Sequence, residues 1–223
     1  RERKIMTIED PIEYEMSGIT QIQVAPEIGL DFARGLRSIL RHDPDIIMVG
    51  EIRDPETAQI AVQSALTGHL VFTTIHANNV VDVIGRLINM GIEPYEFIAS
   101  LNCILAQRLV RKICENCKKP VKSSKELLLE SELEYEQYKG KTFYIGEGCE
   151  KCHNTGYLGR IGIYELLLLS NKIKELILKK ESFILMRDEA KKEGLTELRQ
   201  EGVRKALQGI TTLEEVNRVT VSN

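Results

Sequence analysis

Asp45-Ile46-Ile47-Met48-Val49-Gly50-Glu51 is the stretch that decides the fold. Four apolar residues in a row, Ile46 to Val49, mark a strand buried on both faces, the pattern of strands in parallel sheets. Asp43-Pro44 stops a helix just before it. Asp54-Pro55 opens another just after it, with Asp as N-cap and Pro at the first helical position. That second helix ends at Gly68. A further apolar run, Leu-Val-Phe-Thr-Thr-Ile, then lies between His69 and His76 and reads as a second buried strand.

Upstream, Lys4 to Ile8 is a short apolar run that stops at Glu9-Asp10-Pro11, and Thr20 to Val24 alternates like a strand. Asp31 caps a helix with Phe32, Leu36, Ile39 and Leu40 on one face and Arg34, Arg37 and Arg41 elsewhere. This alternation of strands and helices predicts an α/β fold, a mainly parallel sheet with flanking helices. Downstream, Val80 to Met90 reads as a helix ended by Gly91. Pro94 opens a longer one, expected to run to about Lys112 and to carry Cys103 into the core beside Ile104 and Leu105. The segment Ile161 to Leu168 reads as one more strand. From Asn171 the chain is charged and helical, with a capping box at Thr212 and Glu215. The expected organisation is a core at 1–112, a cysteine-bearing element at 113–158 and a strand-and-helix region at 159–223.

The composition excludes several classes. Of 223 residues, 43% are hydrophobic and 28% charged, enough apolar surface for a folded core. The net charge is −3, from 30 basic and 33 acidic residues, which argues against nucleic acid as the main partner. No apolar run reaches the length of a membrane span, and no export signal is visible. The chain begins at Arg1, inside what reads as a strand, so an excised fragment is expected.

Ligands of open α/β sheets sit beyond the carboxyl ends of the strands. Three runs here close in ionisable residues: the first in Glu9, Asp10 and, past Pro11, Glu13; the second in Glu51; the third in His76. A carboxylate held rigidly at such an edge suits the magnesium of a nucleotide site. A second carboxylate can deprotonate an attacking water. Singly, a carboxylate after a strand is usually a solvated turn or a helix N-cap, and a lone His76 or His69 is more often structural than catalytic. Their coincidence on successive strands is what favours chemistry.

Five cysteines are present, four of them in two Cys-x-x-Cys pairs, Cys114/Cys117 and Cys149/Cys152. Two such knuckles suit a closed, structural zinc site with four thiolate ligands. The 31 residues between the pairs can loop out at modest entropic cost. A redox dithiol ranks below zinc, and His153 is an alternative ligand. Cys149-Glu150-Lys151-Cys152-His153 also fits a haem-attachment pattern, which leaves Cys114 and Cys117 unexplained. Gly140-Lys141-Thr142 is a fragment of a phosphate-binding loop, but Tyr135 stands where its first Gly is required. It reads as a turn.

Three segments carry a family resemblance. Ile8-Glu9-Asp10-Pro11-Ile12-Glu13-Tyr14 resembles the aspartate box of type II secretion and type IV pilus assembly ATPases. Leu36 to Asp54 resembles their Walker B segment, and Thr67 to Asn78 their histidine box. The likeness continues through Leu105–Val110, Gly159–Leu166 and Gly209–Val216. It implies a RecA-like core, magnesium with ATP as cofactor, and a homo-hexamer. It implies Glu13 as catalytic base and Glu51 binding magnesium through water. His76 would face the γ-phosphate, His69 would support the site, and Asp10 and Arg53 would line it. Arg34, Arg37 and Arg41 would serve contacts between subunits. It further implies an inner-membrane platform and assembly proteins as partners and a cytoplasmic location against that membrane. The cysteine element belongs to the extension and secretion members and generally not to the retraction motors. The family's phosphate loop lies upstream of the aspartate box, so little ATP turnover is expected of these residues alone. Rival readings are a non-catalytic module stapled by zinc, a retraction motor, and a DNA motor that the charge balance does not support.

Overall fold

The computed structural model describes residues 3–220. The chain divides into two compact units. The first holds Arg1–Ile104 and Leu168–Ala190, and the second holds Leu105–Leu167 and Lys191–Asn223. Among the described residues, no helix is long and apolar enough to cross a membrane.

The first unit is built on a four-stranded sheet of Ile5–Glu9 (β1), Thr20–Gln23 (β2), Ile46–Val49 (β3) and Leu70–Thr73 (β4). The strand order is β2-β1-β3-β4, and every pair is parallel. Ile8 lies beside Val49, and Val49 beside Thr73. Four helices follow these strands or close the unit: Phe32–Leu40 (α1), Pro55–Leu66 (α2), Val80–Asn89 (α3) and Pro94–Ser100 (α4). The expected caps are in place. Asp31 Oδ1 accepts the Arg34 amide at 2.7 Å and Asp54 Oδ1 the Thr57 amide at 2.8 Å, each satisfying a donor that the helix itself leaves orphaned. The core is formed by Met6, Ile8, Leu36, Ile39, Ile47 and Val49. α1 approaches β1 closely enough that a Cβ on Gly35 would stand 1.8 Å from Ile8 Cδ1.

Two expectations are corrected here. The run from Leu70 is a strand but not a buried one. β4 pairs only with β3 among the described residues, and Phe72 is 55% exposed. An edge strand has one neighbour, so apolar composition alone does not bury it. The helix opened by Pro94 stops at Ser100, and Cys103–Ile113 is a strand (β5). Ile104 and Val110 turn inward while Leu105 and Leu109 turn out, a two-residue period that an overall apolar count hides. Cys103 is consequently exposed at the strand's start.

In the second unit β5 pairs with Tyr157–Leu168 (β8), while Lys118–Lys122 (β6) and Thr142–Gly146 (β7) form an antiparallel hairpin. Gly140-Lys141-Thr142 is the turn into β7, as its sequence suggests. Between β6 and β7 lie two short helices, Lys125–Glu130 (α5) and Tyr135–Tyr138 (α6). Asn171–Leu178 (α7) and most of Phe183–Lys192 (α8) belong to the first unit, and Leu198–Leu207 (α9) and Leu213–Thr220 (α10) to the second.

The segment between the cysteine pairs has more core than its composition promises. Leu128 and Phe143 pack with Val203, Ala206, Leu213 and Val216 of α9 and α10. Arg199 of α9 donates to the Ser131 carbonyl at 3.1 Å, to Asn217 Oδ1 at 3.1 Å and to Thr220 Oγ1 at 3.1 Å. A cation at the carboxyl end of α5 also meets the negative pole of that helix. The capping box at α10 is half made: Thr212 Oγ1 accepts the Glu215 amide at 3.2 Å, while the Glu215 carboxylate is engaged by Arg111 and Arg218.

Gly35→Ala is expected to destabilise the first unit by about 1–3 kcal/mol, the range for overpacking a filled core. Chemical denaturation of the variant checks this, and an unchanged midpoint refutes the close contact of α1 with β1.

Candidate functional site

Because β1, β3 and β4 are parallel, their carboxyl ends share one edge of the sheet. The hydrogen-bond ladder runs past the strands and pins this edge. The Gly50 amide donates to the Ile8 carbonyl at 2.7 Å, and the Ile52 amide to the Thr74 carbonyl at 2.9 Å. Thr74 Oγ1 donates to the Gly50 carbonyl at 2.7 Å. Gly50 fits a tight place, since a Cβ there would stand 3.2 Å from the Ile8 carbonyl oxygen.

Glu51 leaves this pinned edge and is only 8% exposed. The Arg53 guanidinium pairs with its Oε1. The His76 Nε2 lies 3.3 Å from its Oε2 in an ion-pair contact that depends on the imidazole's protonation, and the His76 side chain is 82% exposed. Glu51 Oε2 is buried and makes no hydrogen bond among the described residues. A buried carboxylate oxygen without a donor is costly, so this atom is poised to accept one from a ligand or a cation-bound water. Arg53 Nη1 also reaches Asp10 Oδ2 at 3.9 Å. Glu51, Arg53, His76 and Asp10 are thus one connected group.

Glu13 lies on the loop that leaves β1 at the same edge, and it is exposed. That loop is held by side chains the sequence did not single out. Gln21 Nε2 donates to Glu9 Oε1 at 2.9 Å and to the Tyr14 carbonyl at 3.0 Å, and Gln21 Oε1 accepts the Met16 amide at 2.7 Å. His69 stands before β4, at the opposite edge of the sheet from His76. Its Nδ1 faces the Ser64 carbonyl at 2.9 Å, so it does not join the acidic group. On α1, Arg34 donates to the Gly29 carbonyl and Arg37 pairs with Glu56, while Arg41 is the C-cap residue. None of the three is bonded to the edge.

The second constellation lies in the other unit. The sulfurs of Cys114, Cys117, Cys149 and Cys152 all lie within 4.8 Å of one another, and all four are free thiols. Three separations are 3.9, 3.9 and 3.7 Å. Four thiolates bound tetrahedrally to zinc at 2.3 Å stand about 3.8 Å apart, so the donor set fits that ion. Amide donors converge on the sulfurs. Cys149 N and Gly156 N donate to Cys152 Sγ at 3.2 and 3.3 Å, and Asn116 Nδ2 to Cys149 Sγ at 3.4 Å. Burial works against ionising Cys152, yet these amides bring its pKa down to about 6. Burial and the neighbouring sulfurs push Cys117 up to about 12. A cluster that ionises one thiol readily and resists ionising another is one a dication would stabilise. Asn116 was not anticipated, although its place inside the first Cys-x-x-Cys was a usable signal. Gly146, the last residue of β7, meets Gly156 just after the second knuckle: a Cβ on Gly146 would stand 2.0 Å from the Gly156 carbonyl oxygen.

An α/β parallel sheet with an orphaned buried carboxylate at its carboxyl edge, together with a four-thiol cluster, defines the class, and comparison with known proteins identifies it. The chain belongs to the family described as Type II/IV secretion system protein, which matches residues 1–218. It is 50% identical over 220 residues to the "Type IV pilus assembly ATPase PilB" of Thermus thermophilus, covering 99% of this chain and 25% of that protein. It is 50% identical over 219 residues to the "Type II secretion system protein E" of Dickeya dadantii, covering 98% and 43%. Among solved structures, the pilus retraction motor PilT with bound ADP matches with a TM-score of 0.69 and 28% identity, over 99% of this chain and 53% of that one. The chain therefore spans between a quarter and about half of the length of these relatives.

Gly146→Ala is expected to force the knuckles apart and destabilise the second unit by about 1–3 kcal/mol, with faster alkylation of the four cysteines. Peptide mapping after iodoacetamide treatment measures this, and wild-type protection would refute the tight closure.

Proposed function

We propose that this chain is the C-terminal portion of a hexameric ATPase with a RecA-like core that powers pilin or pseudopilin assembly or type II secretion. The observation that carries the reading is Glu51 Oε2, a buried carboxylate oxygen at the carboxyl edge of a parallel sheet that makes no hydrogen bond among the described residues and faces the His76 imidazole at 3.3 Å. The names of the relatives support the same reading.

Magnesium-bound ATP would supply the phosphoryl group and neutralise its charge. The residues of this chain have separate tasks around it. Glu51 would help hold the magnesium ion through Oε2, which makes no hydrogen bond among the described residues. Arg53 fixes the orientation of the Glu51 carboxylate, and Asp10 braces Arg53 from the other side. His76, on an exposed side chain at the same edge, donates to the terminal phosphate. Glu13, on the loop clamped by Gln21, takes the proton of the attacking water. His69 acts from a distance, by setting the α2–β4 turn that starts the strand leading to His76. Arg34, Arg37 and Arg41 are assigned to contacts with neighbouring subunits. These 223 residues contain no Gly-x-x-x-x-Gly-Lys-Ser/Thr, so the phosphate-cradling loop is assigned to a part of the protein outside them.

The four cysteines are assigned one structural zinc ion. This, with identities of 50% to assembly and secretion proteins against 28% to the retraction motor, favours assembly. Partners would be an inner-membrane platform and assembly proteins, with the ring on the cytoplasmic side. The rival reading, a non-catalytic module held by zinc, leaves the orphaned oxygen of Glu51 unexplained.

In the full-length protein, Glu13→Gln and Glu51→Gln are each expected to lower ATP turnover at least about 100-fold. Steady-state phosphate release measures this, and normal rates in both variants overturn the assignment. Elemental analysis is expected to find one zinc per chain, lost in Cys152→Ser.

A further inference from the structure

The four cysteines and the C-terminal helix α10 are joined by an unbroken chain of polar contacts. The sulfur of Cys152 accepts the Gly156 amide at 3.3 Å, and the Gly156 carbonyl accepts the Cys114 amide at 2.9 Å. The residues just before Cys114 are tied to the chain entering α10. The Ile113 amide donates to the Ile210 carbonyl at 2.9 Å, and Thr211 Oγ1 to the Arg111 carbonyl at 2.8 Å. Arg111 then meets Glu215 twice, through its amide at 2.9 Å and its guanidinium at 2.6 Å. A second route starts beside Gly156. The Arg111 guanidinium stacks 4.1 Å from the centre of the Tyr157 ring, and the Tyr157 hydroxyl lies 2.9 Å from Thr212 Oγ1. Thr212 in turn accepts the Glu215 amide.

Glu215 is where both routes end. It is 1% exposed. Arg218 of its own helix donates to both carboxylate oxygens, at 2.8 and 3.0 Å. Burial opposes its ionisation, but the two guanidiniums hold its pKa down at about 2. A buried carboxylate with every partner committed allows α10 to dock in one position only, because any slip would leave a charge unpaired in the interior. The segment that this docking fixes, Arg111 to Ile113, is the one that delivers Cys114 to the sulfur cluster.

We infer that metal occupancy of the cysteine cluster and docking of α10 are thermodynamically coupled, with Glu215 as the positioning residue between them. The inference rests on the assignment of a metal to the four thiols. Ligands held by outer partners lose roughly 10–100-fold in affinity when those partners are removed. Coupling of this kind is reciprocal, so losing the metal must loosen α10 as losing Glu215 loosens the metal. The cysteine element is then no independent appendage: it reports its state to the C-terminal helix.

The test uses the full-length, metal-loaded protein. Hydrogen exchange of 111–114 and 213–220 is followed before and after removal of zinc with a chelator. Protection is expected to fall at least about tenfold in both segments and to stay unchanged in α1. Glu215→Gln is expected to speed zinc transfer to a chromogenic chelator by a similar factor. Tyr157→Phe, which deletes only a hydroxyl, should act in the same direction and less. Ile47→Val truncates the core of the first unit and touches none of these contacts, and should leave the transfer rate near wild type. Unchanged protection of 213–220 on zinc removal overturns the coupling, as does an Ile47→Val effect as large as that of Glu215→Gln. Absence of zinc from the purified protein overturns the metal assignment and the coupling together, whereas bound zinc with an indifferent α10 overturns the coupling alone.

Discussion

A parallel sheet has one carboxyl edge, and that constraint organises everything chemical in the first unit. β1, β3 and β4 all run the same way, so whatever follows each strand arrives at the same place. The extension of the ladder through Gly50, Ile52 and Thr74 makes the arrival rigid. Glu51 is thereby carried into a buried position that a loop carboxylate would escape by turning to water. The neighbouring Arg53 satisfies one of its oxygens and leaves the other without a donor.

Two buried carboxylates in this chain show how environment separates roles. Glu215 is enclosed by two arginines and a backbone amide, so every acceptor site is used and its charge is fixed. Such a group holds helices in place and has nothing left to offer a ligand. Glu51 is also buried but is served by an arginine on one side, with the exposed His76 imidazole opposite. Burial sets a cost for each, and only in Glu215 do the partners offset it completely.

The second unit solves a different problem. Its hairpin of β6 and β7 with two short helices would be thin if isolated. Leu128 and Phe143 instead borrow the apolar faces of α9 and α10, which arrive from the far end of the chain. Two glycines in contact, Gly146 and Gly156, let backbones meet where the knuckles close, and the amides there point at sulfur. The cluster is thus preorganised by packing on one side and by hydrogen bonds on the other.

Much of this was legible in sequence because it depends on local patterns. The apolar run at Ile46–Val49, the caps at Asp31 and Asp54, the cysteine spacing and the strand-closing Glu51 and His76 are each read within a few residues. What was misread depends on neighbours far along the chain. Nothing local tells β4 that it has a partner on one side only, or separates the two-residue period of β5 from the end of the helix before it. His76, read as closing its strand, and His69, read as its support, stand at opposite ends of β4. Gln21, Asn116 and Glu215 took their roles from partners that the fold delivers, up to 104 residues away in the case of Arg111 and Glu215. Sequence alone determined which residue types stand at strand ends and knuckles, because short-range sterics and hydrogen bonding decide those. Tertiary structure alone decided which carboxylate is satisfied and which is left open, because burial and charge pairing belong to the assembled chain.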